Sequence, residues 1–368
     1  MRIKAALTRE IDQLTIEEVE LDPPKADEVL VRMRAAGVCH SDLHTYKGEL
    51  RATPPIVLGH EGAGMVETVG NDVTRVQPGD RILVNWLPAC ETCPTCLSGR
   101  YNLCEHLPGT TFQGKLLDGT SRLKTLDGLP LKHFLSAATM SEYIVIGEAS
   151  AIPLPDDVPF EVAAVIGCAV ATGVGAVINT ARAKVGLPAA VIGSGGIGLS
   201  AIQGCKLAGC NPIIAVDVMD SKLSFARQLG ATHTINAGET DAVEALRVLT
   251  NGGPEYVFDS VGSAITVPQA LEAARPGGAA IIIGLHAGKI PVPISCLTLV
   301  LQNKRLLGSF VGSIRPRLDL PMLIDLYRAG KLQLDDLITK RYPLDDLPQA
   351  FDDMVAGNIA RGVLVFED

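Results

Sequence analysis

Runs of alternating and continuous apolar residues, cut repeatedly by Gly, Pro and Asp, fill the first 100 residues of the chain. "EVLVRMRAAG" and "GAGMVETVG" read as strands, and "RVQPGDRILV" as a turn at Pro78–Gly79–Asp80 that feeds a strand. Beyond about Phe160 the pattern changes. "LPAAVIGSGGIGLSAIQGCKLAGCNPIIAVDV" predicts a buried strand, a Gly-rich turn, a helix, a break at Gly209–Pro212 and a second strand. "YVFDSVG" and "GGAAIIIGLHAG" are further strands, with the helical pattern "ITVPQALEAARPGG" between them. Strands alternating with helices imply a parallel sheet. From about Phe310 onward, "LPMLIDLYRAGKLQLDDLI" predicts a helix and "RGVLVF" a terminal strand. The chain carries no internal repeat, and 368 residues favour two domains over one core.

Composition narrows the function. Charged residues make up 20% and hydrophobic ones 47%, as expected of a soluble globular protein. A net charge of −9, from 32 basic and 41 acidic side chains, disfavours a nucleic-acid or anionic-membrane partner. "MRIKAALTREIDQL" lacks the apolar core of a secretion signal. Val162–Ala181 and Val185–Cys205 each run about twenty residues without a charge, but their Gly, Thr, Asn, Ser and Pro content reads as buried core rather than a membrane span. A cytoplasmic location is expected. A reducing compartment and an odd count of nine cysteines disfavour disulfides.

Three groups of residues carry candidate chemistry. Gly193-Ser194-Gly195-Gly196-Ile197-Gly198 matches G-x-G-x-x-G, follows a strand and opens a helix. Asp217 stands nineteen residues after Gly198 at the end of the next strand. Glycines let backbone N–H groups approach a pyrophosphate at a helix N-terminus. Asp217 would accept from the adenosine-ribose hydroxyls and repel the extra phosphate of NADP, so NAD is expected, with Lys222 near the same ribose. Cys90, Cys93, Cys96 and Cys104 form C-x2-C-x2-C-x7-C, a set able to close a tetrahedral shell around structural zinc; an iron–sulfur cluster uses the same ligand type. Cys39, His60 and Cys168 are the third group. Cys2His is a known catalytic zinc shell, but separations of 21 and 108 residues do not by themselves join these three.

Together, "GVCHSDLHTYKG", "LGHEGAG", "IGCAVATG", the four-cysteine loop and the fingerprint with Asp217, in that order, resemble the zinc-dependent alcohol dehydrogenases of the medium-chain dehydrogenase/reductase superfamily over essentially the whole chain. The segment from Gly109 to Ile146 is similar to the longer members close to the glutathione-dependent formaldehyde dehydrogenases. The resemblance implies an α/β fold with a Rossmann-type doubly wound parallel sheet plus a β-rich GroES-like catalytic domain. It places the catalytic domain at residues 1–168, with a structural zinc loop at 89–104, the NAD-binding domain at 169–310, and a return to the catalytic domain at 311–368. A homodimer joined through the cofactor domains is the implied assembly.

By the same resemblance Cys39, His60 and Cys168 hold a catalytic zinc, with Glu61 behind it and Asp42 fixing the tautomer of His60. Ser41 is the hydroxyl that meets the alcohol, and His44 the outer end of a proton relay. His40 and Arg361 meet the pyrophosphate. Trp86, Met140, Leu285 and Phe310 are the implied pocket wall, all apolar, which favours alkyl, allylic or aryl primary alcohols as substrates and aldehydes as products. Oxidation of S-(hydroxymethyl)glutathione is the alternative. It is placed second because "CEHLPGTTF" offers no Arg or Lys for the adduct's carboxylate and because His44 stands where those relatives carry Tyr. A form with permanently bound NAD is also open, since the segment from Gly312 to Ile338 resembles such enzymes. A non-catalytic dinucleotide-binding protein is disfavoured because all three zinc ligands are present.

Overall fold

The structure is a computed structural model that describes residues 1–50, 52–285 and 291–367. The chain divides into two compact units, residues 1–168, 315–330 and 334–368 in the first, and 169–314 with 331–333 in the second.

In the first unit, strands Arg2–Glu10 and Gln13–Leu21 form a hairpin that closes into a barrel with Leu123–Lys124, Pro130–His133 and Ile56–Val57. A second sheet runs in the order Ala151–Pro153, Arg81–Val84, Gly62–Val69, Glu28–Val38, Arg361–Val365 and Ile338–Tyr342, with Tyr143–Gly147 also paired to Glu28–Val38. The expected turn before Arg81 is present. Gly79 sits at φ +92° and donates to Val66 O, while the Asp80 carboxylate accepts from Gln77 N. Glu28–Val38 alternates buried and half-buried positions up to Arg34 and is then buried throughout. Its C-terminal half therefore runs through the interior, where Ala36 and Val38 pack with Leu58, Phe134, Met140 and Leu364.

The second unit is a six-stranded parallel sheet in the order His233–Asn236, Ile213–Asp217, Ala189–Ile192, Tyr256–Asp259, Ala279–Ile282 and Arg305–Gly308. In chain order this is 3-2-1-4-5-6. The direction of winding reverses beside Ala189–Ile192, which is where such sheets bind ligands at their strand C-termini. Ile192, Val216, Val257 and Ala280 centre its core. The tail of the expected "GGAAIIIGLHAG" strand, His286 to Gly288, lies outside the described residues.

One expectation changes. The helix expected from Leu320 to Ile338 is Pro316–Arg328. Gly330, at φ +67°, donates to Tyr327 O and closes the helix, so the chain continues as a short turn and the strand Ile338–Tyr342. Val185–Cys205, by contrast, is the expected strand, Ala189–Ile192, and helix, Gly196–Leu207, joined by the Gly-rich turn. One helix, Phe160–Ala181, is long and apolar enough to cross a membrane by length and composition, and 89% of its most apolar stretch is buried inside the protein.

Candidate active site and metal centres

The first unit brings Cys39, His60, Glu61 and Cys168 together, with one ligand atom of each within 4.8 Å of the others, all four buried. Three different devices deliver them. Cys39 follows the buried end of Glu28–Val38 and precedes the short helix His40–Tyr46. His60 follows Gly59, at φ +99°, where a Cβ would stand 2.2 Å from Met140 N. Cys168 lies in a wide π turn, Ile166–Val170. Such turns are frequent at functional sites. Gly167 lets that turn approach Val84 O closely. Arg361 opens the strand that pairs antiparallel with Glu28–Val38, and its Nη2 reaches Glu61 Oε2.

Asp42 is fully buried behind His60. Its two oxygens lie 3.3 and 3.2 Å from Nδ1, and Oδ1 also accepts from Gly59 N at 2.9 Å. This leaves His60 Nε2 facing the thiols, buried and without a hydrogen-bond partner among the described residues. A buried, orphaned imidazole nitrogen beside two thiols is the donor set that zinc satisfies, and a carboxylate on Nδ1 fixes the tautomer. Hydrogen bonding from the Cys168 thiol, against the effect of burial and helped by the His60 and Arg361 charges, holds Cys39 well below the ordinary thiol range. Burial pushes Glu61 up to about 7 despite the Arg361 charge. Burial likewise raises Asp42.

Cys90, Cys93, Cys96 and Cys104 also converge within 4.8 Å. Sulfurs about 2.3 Å from a tetrahedral centre stand about 3.8 Å apart; Cys90 Sγ and Cys96 Sγ are separated by 4.0 Å. The loop's own backbone serves the sulfurs. Cys93 N donates to Cys90 Sγ, Cys96 N to Cys93 Sγ and Cys90 N to Cys104 Sγ. Burial raises Cys90, but the Thr92 and Cys93 amides outweigh it and bring the thiol down to about 6. All nine cysteines are free thiols, so no disulfide competes for these ligands. Four sulfurs fill a tetrahedral shell and leave no position for a substrate, so this centre is structural.

The second unit carries the dinucleotide site. Gly193 sits at φ +88°, and a Cβ on Gly198 would stand 1.8 Å from Gly193 O, so both glycines are demanded by the turn. Gly195, Gly196 and Ile197 lead into the helix Gly196–Leu207, whose N-terminus the turn leaves open. Asp217 ends its strand and holds the turn: Oδ2 accepts from Ser194 N at 2.7 Å, and Oδ1 from Val218 N and Met219 N at 2.8 and 3.1 Å. Ser194 was not singled out from the sequence. Its Oγ is buried without a partner among the described residues, in the Gly193–Gly198 turn. Lys222 is half-buried in the first turn of the helix Asp220–Gln228.

The remaining candidates are placed as follows. Ser41 Oγ lies 3.7 Å from Cys39 Sγ. His44 pairs through Nδ1 with Glu49, a partner that the sequence reading missed, and its ring stands 6.1 Å from that of the exposed His40. Trp86 is buried with its ring edge-on to His60 at 5.8 Å. Met140 is fully buried in the first unit's core, and its amide bonds Leu58 O. Leu285, 65% exposed, and the half-buried Phe310 belong to the second unit.

A Cys2His metal shell in one unit and a dinucleotide turn on a 3-2-1-4-5-6 parallel sheet in the other define a metal-dependent dehydrogenase. Comparison with known proteins agrees. Residues 25–156 match the family described as alcohol dehydrogenase GroES-like domain, and residues 196–329 match zinc-binding dehydrogenase. The chain is 42% identical to alcohol dehydrogenase class-3 of Cereibacter sphaeroides and 40% identical to S-(hydroxymethyl)glutathione dehydrogenase of Paracoccus denitrificans, in each case over 100% of both chains. The solved structure of benzyl alcohol dehydrogenase from Acinetobacter calcoaceticus superposes with a TM-score of 0.94 at 31% identity, covering 100% of both chains. The chain belongs to the zinc-dependent alcohol dehydrogenases of the medium-chain dehydrogenase/reductase superfamily, close to the glutathione-dependent formaldehyde dehydrogenases. It is an NAD-dependent oxidoreductase with two zinc sites per chain.

Proposed function

We propose that the chain oxidises hydroxymethyl groups, R–CH2OH, to the carbonyl level, and that S-(hydroxymethyl)glutathione is its principal substrate. The observation that carries this reading is near full-length identity of about two residues in five to relatives that bear that activity in their names. It reverses the order reached from the sequence, which set simple primary alcohols first. Those alcohols are the second reading. It is favoured by the likeness to the benzyl alcohol dehydrogenase, by Trp86 beside His60, and by the lack of Arg or Lys in residues 104–112.

Cys39, His60 and Cys168 would hold the catalytic zinc, and the Gly193–Gly198 turn with Asp217 the NAD. When bound, zinc supplies Lewis acidity that lowers the pKa of a hydroxyl, and NAD supplies the hydride acceptor. The protein's own residues do the rest. Ser41, beside Cys39, would accept the hydroxyl proton as it gives up its own toward His44, and Thr45 Oγ1 anchors Ser41 O at 2.9 Å. His44, oriented by Glu49 on Nδ1, offers Nε2 to pass the proton on. Asp42 keeps His60 in the tautomer that presents Nε2.

A homodimer joined through the second unit is part of this reading. The edge strand Arg305–Gly308 is mostly exposed, and the adjacent helix Cys296–Leu301 exposes Leu297, Val300 and Leu301 at 68–76%. An open apolar sheet edge is a surface that proteins usually cover. A cytoplasmic location also fits the free thiols.

NADH formation, followed at 340 nm, separates the two readings. Turnover with formaldehyde that requires glutathione is expected. Turnover of benzyl alcohol with none for formaldehyde plus glutathione would transfer the assignment to the second reading.

A further inference from the structure

We propose that Gly37 is a positioning residue for the first metal centre, its missing side chain giving the Glu61 carboxylate its seat. Gly37 lies two residues before Cys39, opposite Val363 on the neighbouring strand, and its N–H donates to Glu61 O at 3.2 Å. A Cβ at this position would stand 1.9 Å from Glu61 Oε2 and 2.9 Å from Glu61 Cβ and Cδ. Its φ is not among the positive values, so the backbone there is one that alanine adopts. The requirement is for space alone.

That space is allotted to one particular atom. Oε2, the oxygen that nearly fills the missing side chain, is also the oxygen paired with Arg361 Nη2. A methyl group on Gly37 would drive it about 1.5 Å away to reach ordinary contact. Both partners are buried, with Arg361 6% exposed and Glu61 fully covered, so water cannot replace the lost pairing. The displaced carboxylate belongs to the same 4.8 Å cluster as the Cys39, His60 and Cys168 ligand atoms. Gly37 therefore acts on the metal only through Glu61, and this is what the test must show.

Zinc release to a chromogenic chelator, measured without substrate or NAD, reads the centre directly. The relevant kinetic phase is the one missing from Cys39→Ser protein. Gly37→Ala should accelerate it about tenfold or more, the usual scale for disturbing a metal's outer contacts. In a Glu61→Ala background, where the clash partner is gone, the same substitution should change the rate by less than about twofold. If Gly37→Ala proves too unstable to load, recovery of folding in the Gly37→Ala/Glu61→Ala double variant supports the proposal equally. An unchanged rate in Gly37→Ala overturns it, as does an equal acceleration, or equal misfolding, in both backgrounds.

Discussion

Asp42→Asn isolates the charge behind His60 from the shape of its side chain. Asp42 Oδ1 lies 3.3 Å from His60 Nδ1 and accepts Gly59 N–H at 2.9 Å, so an asparagine oxygen can keep both contacts. Oδ2 makes no hydrogen bond of its own among the described residues but lies 3.2 Å from the same Nδ1, so the asparagine NH2 there loses the charge and faces the ring N–H. What disappears is a buried negative charge 3.2 Å from the ring, which makes the imidazole a better donor to the metal. Loss of such a partner costs about 10–100-fold in metal affinity, or about 1.4–2.7 kcal/mol. Competition for zinc against a calibrated chelator should show that loss at the Cys39–His60–Cys168 centre alone. The Cys90–Cys104 centre of the same molecule is the internal control. Equal affinity in Asp42→Asn and the parent, or parallel weakening of both centres, would refute the role given to Asp42.

Cys93→Ala should lose one zinc per chain and melt at lower temperature while the other zinc stays; an unchanged melting point would show that the loop needs no metal. Asp217→Gly removes a charge and frees the Ser194, Val218 and Met219 amides. It should weaken NAD binding and raise the NADP-to-NAD ratio of kcat/KM by about tenfold or more, and an unmoved ratio would place ribose recognition elsewhere. Burial, with the Arg122 charge beside it, lowers His133 to about 3. The unfolded chain then takes up a proton that the fold excludes. Stability from this group is complete above about pH 6.5 and is lost progressively down to about pH 3, with about 2 kcal/mol gone by pH 5. His133→Gln, which keeps an acceptor for Arg122 N, should flatten urea-derived stability between pH 7 and 5; the same slope as the parent would contradict this.

What could be read from the sequence was whatever the chain encodes locally. The Gly193–Gly198 turn and the four-cysteine loop each draw their residues from one short stretch, and both stand where the spacing put them. The first metal centre is different. Cys39, His60 and Cys168 meet because the C-terminal part of Glu28–Val38, a positive-φ glycine and a π turn converge, and only the family resemblance joined them. The hairpin of Arg2–Glu10 and Gln13–Leu21 went unread because its turn puts Asp12, not glycine, at φ +63°. Arg361, expected at the pyrophosphate, pairs with Glu61 in the first unit. Glu49 was not tied to His44, five residues away, because a helix end brings it back. Contacts between side chains on different elements leave no periodic trace, and these are the ones the sequence hid.

In the proposed mechanism, residues far apart in sequence hold the zinc ion used for hydride transfer to NAD. Anomalous scattering at the zinc edge, on crystals of active protein, tests it most directly. Two peaks per chain are expected, one among Cys90, Cys93, Cys96 and Cys104 and one among Cys39, His60 and Cys168, with metal removal from the second abolishing turnover. A single peak in the four-cysteine loop of protein that still reduces NAD would contradict it.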